Sequence, residues 1–573
     1  MIKDKIKEDL SEVLRKLQIK PDRLELEHPL DSNNGDFATN IALKVKKEEF
    51  PIPFDLADKI IATWRASGLP DYVSKIEIAK PGFINIWLEN NFLITQLKEA
   101  LEGKERYGSS DLGKGETVVI DYSSPNIAKP FGVGHLRSTV IGQAIYNLYK
   151  FSGYEVVGIN HLGDWGTQFG KLIVAIKRWN KGNINDLTFE KLEKLYIKFH
   201  SQVEKRPELD DEARLWFKKL EDKDQEARKI WKACIDISLK EFDHIYGLLG
   251  VKIDHNIGES FYDDKTEAVI SLAKKKKIAK KSQGALIVDL SELNIPPAIL
   301  LKSDGATTYG TRDLACIAYR KKRWQPDLFV YEVGSDQNLH LKQVFAVAVK
   351  LGYGELDKFV HVSHGLIRLE GGKMSTRKGK TVHLEKILEE SIKKASKIII
   401  SSNNKKKLLK KEQEEIAQMV GVGAVKYFDL MHHHSSDIVF NWEKMFVLEG
   451  NSAPYLQYTF ARCQSIINKE GKEVIFPEDI THLRLEKEEE TLLRTLYKFP
   501  EVIEEAKDKF SPNLLCSYLF DLAQKYNTFY NKHSILGADN LHSVEFRLSL
   551  TAAISYIIKN GLTLLGIDTP ERM

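Results

Sequence analysis

The chain has 573 residues, of which 42% are hydrophobic and 29% charged, with a formal net charge of +4. That length points to about four folding units and excludes a lone peptide-binding module, and the composition excludes intrinsic disorder as the dominant state. The first ten residues alternate charge with isolated apolar positions and no long unbroken apolar run follows anywhere, so neither a signal peptide nor a membrane span is expected and a cytoplasmic location is.

The first 110 residues read as a small α+β unit. Ile6, Leu10, Val13, Leu14 and Leu17 set the period of an opening helix, a Gly-Asp-Phe turn follows at 35–37, a second helix is expected near 38–47, and alternation over 73–88 reads as strand. The four glycines of 103–115 mark a linker. From Glu116 short apolar runs alternate with helical stretches: TVVIDYSS (117–124) is a strand, LRSTVIGQAIYNLYKFSG a helix stopped at Gly153, and YEVVGINHLG the next strand. Residues 188–250 become long, charged and helical, an insertion that splits the sheet before strands resume at ALIVDL (285–290) and AILLKSDG (298–305). The alternation continues through TRDLACIAYRKKRW, DLFVYEVG, LHLKQVFAVAVKLG and KFVHVSHGLIRL; beyond about residue 385 almost every signal is helical. Parallel strands with crossover helices bind ligands at the strand C-termini.

Charge is uneven along this frame. Residues 111–395 carry 46 basic and 38 acidic side chains, against 17 and 19 before them and 22 and 24 after. Such a central excess suits phosphate-bearing ligands or a nucleic acid without specifying either. The lysine runs 274–277 and 405–407 read as solvated faces, and Cys234, Cys316, Cys463 and Cys516, with no C-x-x-C pair, as buried thiols. His432, His433 and His434 are consecutive, so on a helix they diverge and hold no metal.

Two segments carry chemistry. SSPNIAKPFGVGHLRS (123–138) leaves a strand and opens a helix; Pro125 and Pro130 stiffen it, while Gly132 and Gly134 let a ligand approach the backbone. A helix N-terminus with Lys129 and His135 beside it suits a phosphate, although no G-x-x-x-x-G-K-[ST] loop is present. EGGKMSTRKGK (370–380) packs Lys373, Arg377, Lys378 and Lys380 among glycines, a basic loop able to close on a polyphosphate. Each alone is compatible with an ordinary turn or surface loop; each follows a predicted strand, so both fall at one crevice.

GVGH resembles the HIGH motif and KMSTR the KMSKS motif of class I aminoacyl-tRNA synthetases. DYSSPNIAKP, HLGDWGTQFG, GES (258–260), YGTRDLA, SDQNLHLKQ, APYLQYTFAR and LLGIDTPERM resemble arginyl-tRNA synthetases more narrowly, in matching order from Gly35 to Met573. The resemblance implies a Rossmann-type parallel-sheet catalytic domain over 111–390, split by a helical insertion at about 175–280. A small α+β domain over 1–110 that touches the tRNA elbow precedes it, and an all-α anticodon-binding domain over 391–573 follows.

The reaction it implies joins arginine and ATP to arginyl-adenylate and pyrophosphate, then passes the arginyl group to the terminal adenosine of arginine tRNA, with tRNA needed for the first step. Asp121, Asn126, Glu259, Tyr309, Asp313 and Gln337 are implied to bind arginine. Lys129, His135, Lys373 and Lys378 are implied to be catalytic, with Gly132, Gly134, His135, Met374, Ser375 and Arg377 at the ATP. Tyr455, Tyr458, Tyr530, Met573 and Phe37 are implied to meet tRNA. Magnesium is expected on the ATP with no protein ligand for it, and a monomer without membrane attachment is expected. Two positions depart from the motifs: Gly132 stands for the first histidine of HIGH and Thr376 for the second lysine of KMSKS, which throws weight on Lys129 and His135. A non-catalytic tRNA-binding paralogue and a small-molecule adenylyltransferase are the alternatives; the intact arginine set opposes the first and the helical C-terminal domain the second.

Overall fold

The computed structural model describes residues 1–20, 23–45, 50–368, 383–402, 408–477, 483–538 and 540–573. The chain divides into two compact units, one of Met1–Gly108, Arg462–Ile503 and Tyr518–Asn560, the other of Ser109–Ala461, Glu504–Ser517 and Gly561–Met573.

In the first unit the helix Ile2–Lys16 buries Ile6, Leu10, Val13 and Leu14, the positions its period predicts. Strands β1 (Phe37–Thr39), β2 (Val73–Ala79) and β3 (Phe83–Leu88) form an antiparallel sheet in the order β1-β3-β2. The helix expected near 38–47 shrinks to Ile41–Lys44, because Phe37–Thr39 is taken into the sheet opposite Ile84–Ile86. This corrects the reading of Phe37: its side chain is fully buried, its ring 4.4 Å from that of His28, so it has no face to offer a tRNA. Asp36 beside it is buried as well, accepting the Leu88 N–H at 2.8 Å and pairing with Arg494.

The second unit opens with β4 (Thr117–Asp121) and β5 (Glu155–Asn160), joined by the helix Gly134–Phe151. The insertion follows as the helices Phe189–Val203, Glu208–Glu221 and Gln225–Leu249, the last capped by the Asp224 side chain at one end and by Gly250 in the left-handed region at the other. The chain then re-enters the sheet at β6 (His255–Asn256). Next come β7 (Ala279–Ser282), β8 (Ala285–Val288) and β9 (Ala298–Leu301), then β10 (Leu328–Gly334) and β11 (Phe359–His364). The five-stranded sheet runs β11-β10-β4-β5-β6 and every pairing in it is parallel. This is the doubly wound Rossmann order, with its growth reversing between β4 and β10.

ALIVDL and AILLKSDG are a correction. They do not rejoin the parallel sheet but make a separate antiparallel one, β7-β8-β9. The cause is the hairpin at Gln283 and Gly284, both at positive φ, 48° and 79°, which returns the chain at once onto β7. After residue 383 the described chain is helical apart from β13 (Ile438–Val439), which pairs with β12 (Ile367–Arg368). Met573, assigned to tRNA by resemblance, packs its side chain into a cluster with Ala395, Ile399, Ile416, Val420 and Ala461. All four cysteines are free and buried. Among the described residues no helix is long and apolar enough to cross a membrane.

Candidate active site

The loop after β4 is held in an unusual shape. Ser123, Ser124 and Ala128 have φ of 72°, 47° and 59°, a region that costs non-glycine residues about 1–3 kcal/mol each. Side chains from distant segments hold it there. Ser123 N–H donates to Ser138 Oγ at 2.9 Å, Ser124 N–H to Asn160 Oδ1 at 3.0 Å and Ala128 N–H to Ser238 Oγ at 3.0 Å. The Ser123 hydroxyl lies 2.8 Å from that of Tyr246, and Pro125–Ile127 is bonded to Gly163 through both of its backbone groups.

The helix Gly134–Phe151 follows, its N-terminal amides pointing at whatever the loop cradles. A side chain built on Gly134 would meet nothing within 4 Å, so the space above it is open. His135 is oriented by Gly132, whose N–H donates to its Nδ1 at 3.2 Å and leaves the proton on Nε2. Burial, aided by the charges of Lys129 and His364, pushes His135 down to about 4, so it is a neutral donor. Lys373, Met374, Ser375, Arg377 and Lys378 lie outside the described residues. The chain on either side of them is placed: Arg368 by the β12–β13 pair, and His383 by a bridge to Gly132, with Leu384 N–H donating to Phe131 O at 3.0 Å.

Beside the loop, where the sheet reverses, a cavity of about 400 Å³ is lined by Asp121, Asn126, Glu259, Tyr309, Asp313 and Gln337. The structure thus brings together every residue assigned to arginine. Their states differ. Asp121 is already paired, its Oδ2 2.6 Å from the guanidinium of fully buried Arg320 and its Oδ1 3.0 Å from Ser124 Oγ. Glu259 Oε2 is buried without a hydrogen-bond partner among the described residues, the Arg312 Nε being 3.7 Å away. Burial pushes this carboxyl up to about 7, with Asp313 adding to the rise and His161 and Arg312 opposing it. Burial would raise Asp313 too, but the hydrogen bond and charge of His340, 2.6 Å away, outweigh it and hold Asp313 below its ordinary value. Tyr309 and Asp313 share a face of the helix Tyr309–Trp324, as their spacing predicts.

Ser124, His161, Asp336 and His340 also line the cavity and were not singled out by sequence. Three of them sit inside stretches already informative, HLGDWGTQFG and SDQNLHLKQ, but nothing in those strings says which polar residue turns inward. Gly163 has a steric reason to be glycine. A Cβ there would come 2.4 Å from Asn126 Oδ1, and Asn126 is tied to Gly163 by a backbone bridge. Gly163→Ala is therefore expected to displace Asn126 and raise the KM for arginine about tenfold, read from initial rates at saturating ATP, the loss of about one hydrogen bond to a charged ligand.

Tyr455, Tyr458 and Tyr530, assigned to tRNA by resemblance, do not line this cavity. Tyr458 and Tyr530 are each 38% exposed and Tyr455 is half-buried; the Arg462 guanidinium lies 4.6 Å from the Tyr530 ring centre. An aromatic face backed by a cation is a platform for an unstacked base.

Comparisons with known proteins agree with this layout. Residues 96–442 match the family described as tRNA synthetases class I (R), catalytic domain; residues 456–573 match the DALR anticodon binding domain and residues 1–88 the arginyl tRNA synthetase N terminal domain. The chain is 42% identical over 550 residues to an arginine–tRNA ligase of Clostridioides difficile, covering 96% of this chain and 95% of that one. To the corresponding ligase of Halothermothrix orenii it is 40% identical over 575 residues, covering 100% and 99%. In fold it is similar to the arginyl-tRNA synthetase of Thermus thermophilus, with a TM-score of 0.84 at 23% identity over the whole of both chains. The sheet order, the cavity and these matches together place the chain in the arginyl-tRNA synthetase family of class I.

Proposed function

We propose that the chain is an arginine–tRNA ligase that works as a cytoplasmic monomer, forming arginyl-adenylate from L-arginine and ATP and passing the arginyl group to the terminal adenosine of arginine tRNA. The observation that carries this reading is the unpartnered, buried Oε2 of Glu259 facing a cavity it shares with Asp313, beside a strained loop at a helix N-terminus. A carboxyl whose proton affinity is raised by burial and by the neighbouring Asp313 is relieved by a cation, and a planar guanidinium satisfies both carboxylates with directed donors where a lysine ammonium leaves part of the array unpaired.

Asn126 and Gln337, at the cavity wall, are assigned to the amino and carboxylate groups of arginine. An oxygen of that carboxylate attacks the α-phosphorus, the bond to pyrophosphate breaks, and its electron pair leaves with pyrophosphate. The chain's part is to orient and to stabilise charge: the amides at Gly134, the Nε2–H of His135 and Lys129 on the phosphates, Gly132 and Gly134 giving close approach. Met374, Ser375 and Arg377 are assigned to the ATP, and Lys373 and Lys378 to the departing pyrophosphate. The magnesium is assigned to the nucleotide as part of the substrate, and no step is routed through it. Tyr455, Tyr458 and Tyr530 are assigned to the anticodon loop.

The test is arginine-dependent ATP–pyrophosphate exchange with and without arginine tRNA, with lysine as the control amino acid. Exchange with arginine alone among the two, and only in the presence of tRNA, is the expected result. Lys129→Ala should depress it about 100-fold. A chain that binds tRNA yet exchanges nothing under either condition would be a non-catalytic paralogue.

A further inference from the structure

Strand alternation sends Tyr331 and Val333 of β10 to the arginine cavity and Glu332 to the opposite face of the sheet, over the helix Gly134–Phe151. Ser138 of that helix donates to the Glu332 carbonyl at 3.0 Å, and the Glu332 side chain is wholly buried, with Oε2 lacking a partner among the described residues. Its Oε1 lies 2.9 Å from Nδ1 of His364, the last residue of β11. A carboxylate at that distance fixes the ring: Nδ1 donates to Glu332, and the second proton of the imidazolium sits on Nε2.

Nε2 lies at the junction of the two halves of the site. Gly334 is in register with His364, and a Cβ on Gly334 would come 3.5 Å from His364 Nε2 and 2.8 Å from Oδ1 of Asp336, a residue of the arginine cavity. On the other side the charge of His364 reaches His135 on the nucleotide loop. The His364 side chain is 12% exposed, and its Nε2 has no hydrogen-bond partner among the described residues. The titratable and charged groups facing the pair are Arg137, Asp429, His135, His361 and His434. Burial works against the proton on His364, but Glu332 outweighs it and raises the imidazole above its ordinary value.

We propose that His364 is a further catalytic residue of adenylate formation, its Nε2–H donated to an oxygen of the triphosphate where the nucleotide loop meets the arginine cavity. The assignment rests on the function proposed above. It divides labour between two imidazoles: His135 is a neutral donor, whereas His364, backed by a buried carboxylate, brings a full charge to an anionic transition state. A hydrogen bond from a charged donor is about twice as strong as one from a neutral donor. Glycine at position 132 supplies neither.

The test compares wild-type enzyme, His364→Ala and His364→Gln in tRNA-supported exchange, with thermal melting as a check on folding. The expected result is a fall of about 10- to 100-fold in kcat/KM for ATP in His364→Ala, with the KM for arginine moved less than twofold. Added imidazole should restore part of the Ala variant's rate, more at pH 6 than at pH 8, and Gln should recover less than imidazole does. Unchanged ATP parameters in a folded Ala variant would overturn the assignment, as would equal losses for ATP and arginine that imidazole does not repair. If the Ala variant fails to fold, the Gln variant carries the same comparison. If the wild type itself exchanges nothing, the reading of the reaction is what fails. The place of His364 is then judged by ATP affinity alone, weakened about tenfold in the variant if the contact exists and unchanged if it does not.

Discussion

Glu259→Gln is expected to lower kcat/KM for arginine by about 10²- to 10⁴-fold while leaving the melting temperature and the KM for ATP nearly unchanged. The size follows from removing one partner of a buried ion pair, which costs about 3–5 kcal/mol. The fold is spared because little in the unliganded protein depends on the charge: Oε2 has no hydrogen bond to lose among the described residues, its ion pair with Arg312 Nε is long at 3.7 Å, and burial already pushes the carboxyl up to about 7. That shift also sets a pH dependence. Arginine needs the ionised form, so the wild-type value should be flat above pH 8 and fall toward tenfold per unit below pH 6, as the carboxyl takes up the proton that the substrate must displace. In Glu259→Gln this limb should vanish, which kinetics from pH 5.5 to 8.5 would show. His135 cannot be its source, since burial holds it near 4 and it stays neutral across that range. A limb that persists in the Gln variant would mean that another group controls arginine capture.

The second large effect has the opposite signature. Arg320→Met is expected to destabilise the protein by about 3–5 kcal/mol, because Asp121, 4% exposed, is left as a buried charge whose 2.6 Å partner has gone. In a protein of this size that is a drop of several degrees in melting temperature. Asp121→Asn alone should also destabilise, and the double variant should regain part of the loss, since removing both charges costs less than stranding one. Thermal unfolding of the three variants forms a cycle, and additive losses would show that Asp121 and Arg320 do not act as a pair. The contrast with Glu259 separates two carboxylates that sequence resemblance puts in one class: Asp121 lines the cavity but is neutralised by the protein's own Arg320, while Glu259 Oε2 faces the same cavity with no hydrogen bond among the described residues.

The alternation of strand and helix, the insertion and the helical C-terminal part were all legible, because long runs such as TVVID and LRSTVIGQAIYNLYKF have a period that survives without a partner. Partnering itself was not. ALIV has the same apolar pattern whether its neighbour is parallel or antiparallel, and only the hairpin at Gln283–Gly284 decides. His255–Asn256 is too short to have a period at all. At the site, the six residues assigned to arginine share a cavity that motifs alone could point to; His161, His340 and His364 went unmarked, because no motif says what lies across the fold from a histidine. The burial of Phe37 and Met573 was illegible for the converse reason, since an aromatic after a turn and an apolar residue at the end of the sequence look equally fit for a surface or for a core.

The braces of the strained loop also set an order of events during folding. Ser123 and Ala128 take their native angles with help from Tyr246 and Ser238, both on the helix Gln225–Leu249, more than a hundred residues further along the chain. Tyr246 also receives the Asn160 amide that positions the end of β5, at 3.1 Å. Until that helix has been made and has docked, β4, the helix Gly134–Phe151 and β5 can associate through local contacts, but the loop between them relaxes out of the left-handed region. A nascent chain released before about residue 250 would therefore hold the scaffold of a nucleotide site without its shape. The helix that interrupts the sheet is what finishes the loop, so the nucleotide side of the site takes its shape only after the two strands and the helix that frame it have been made.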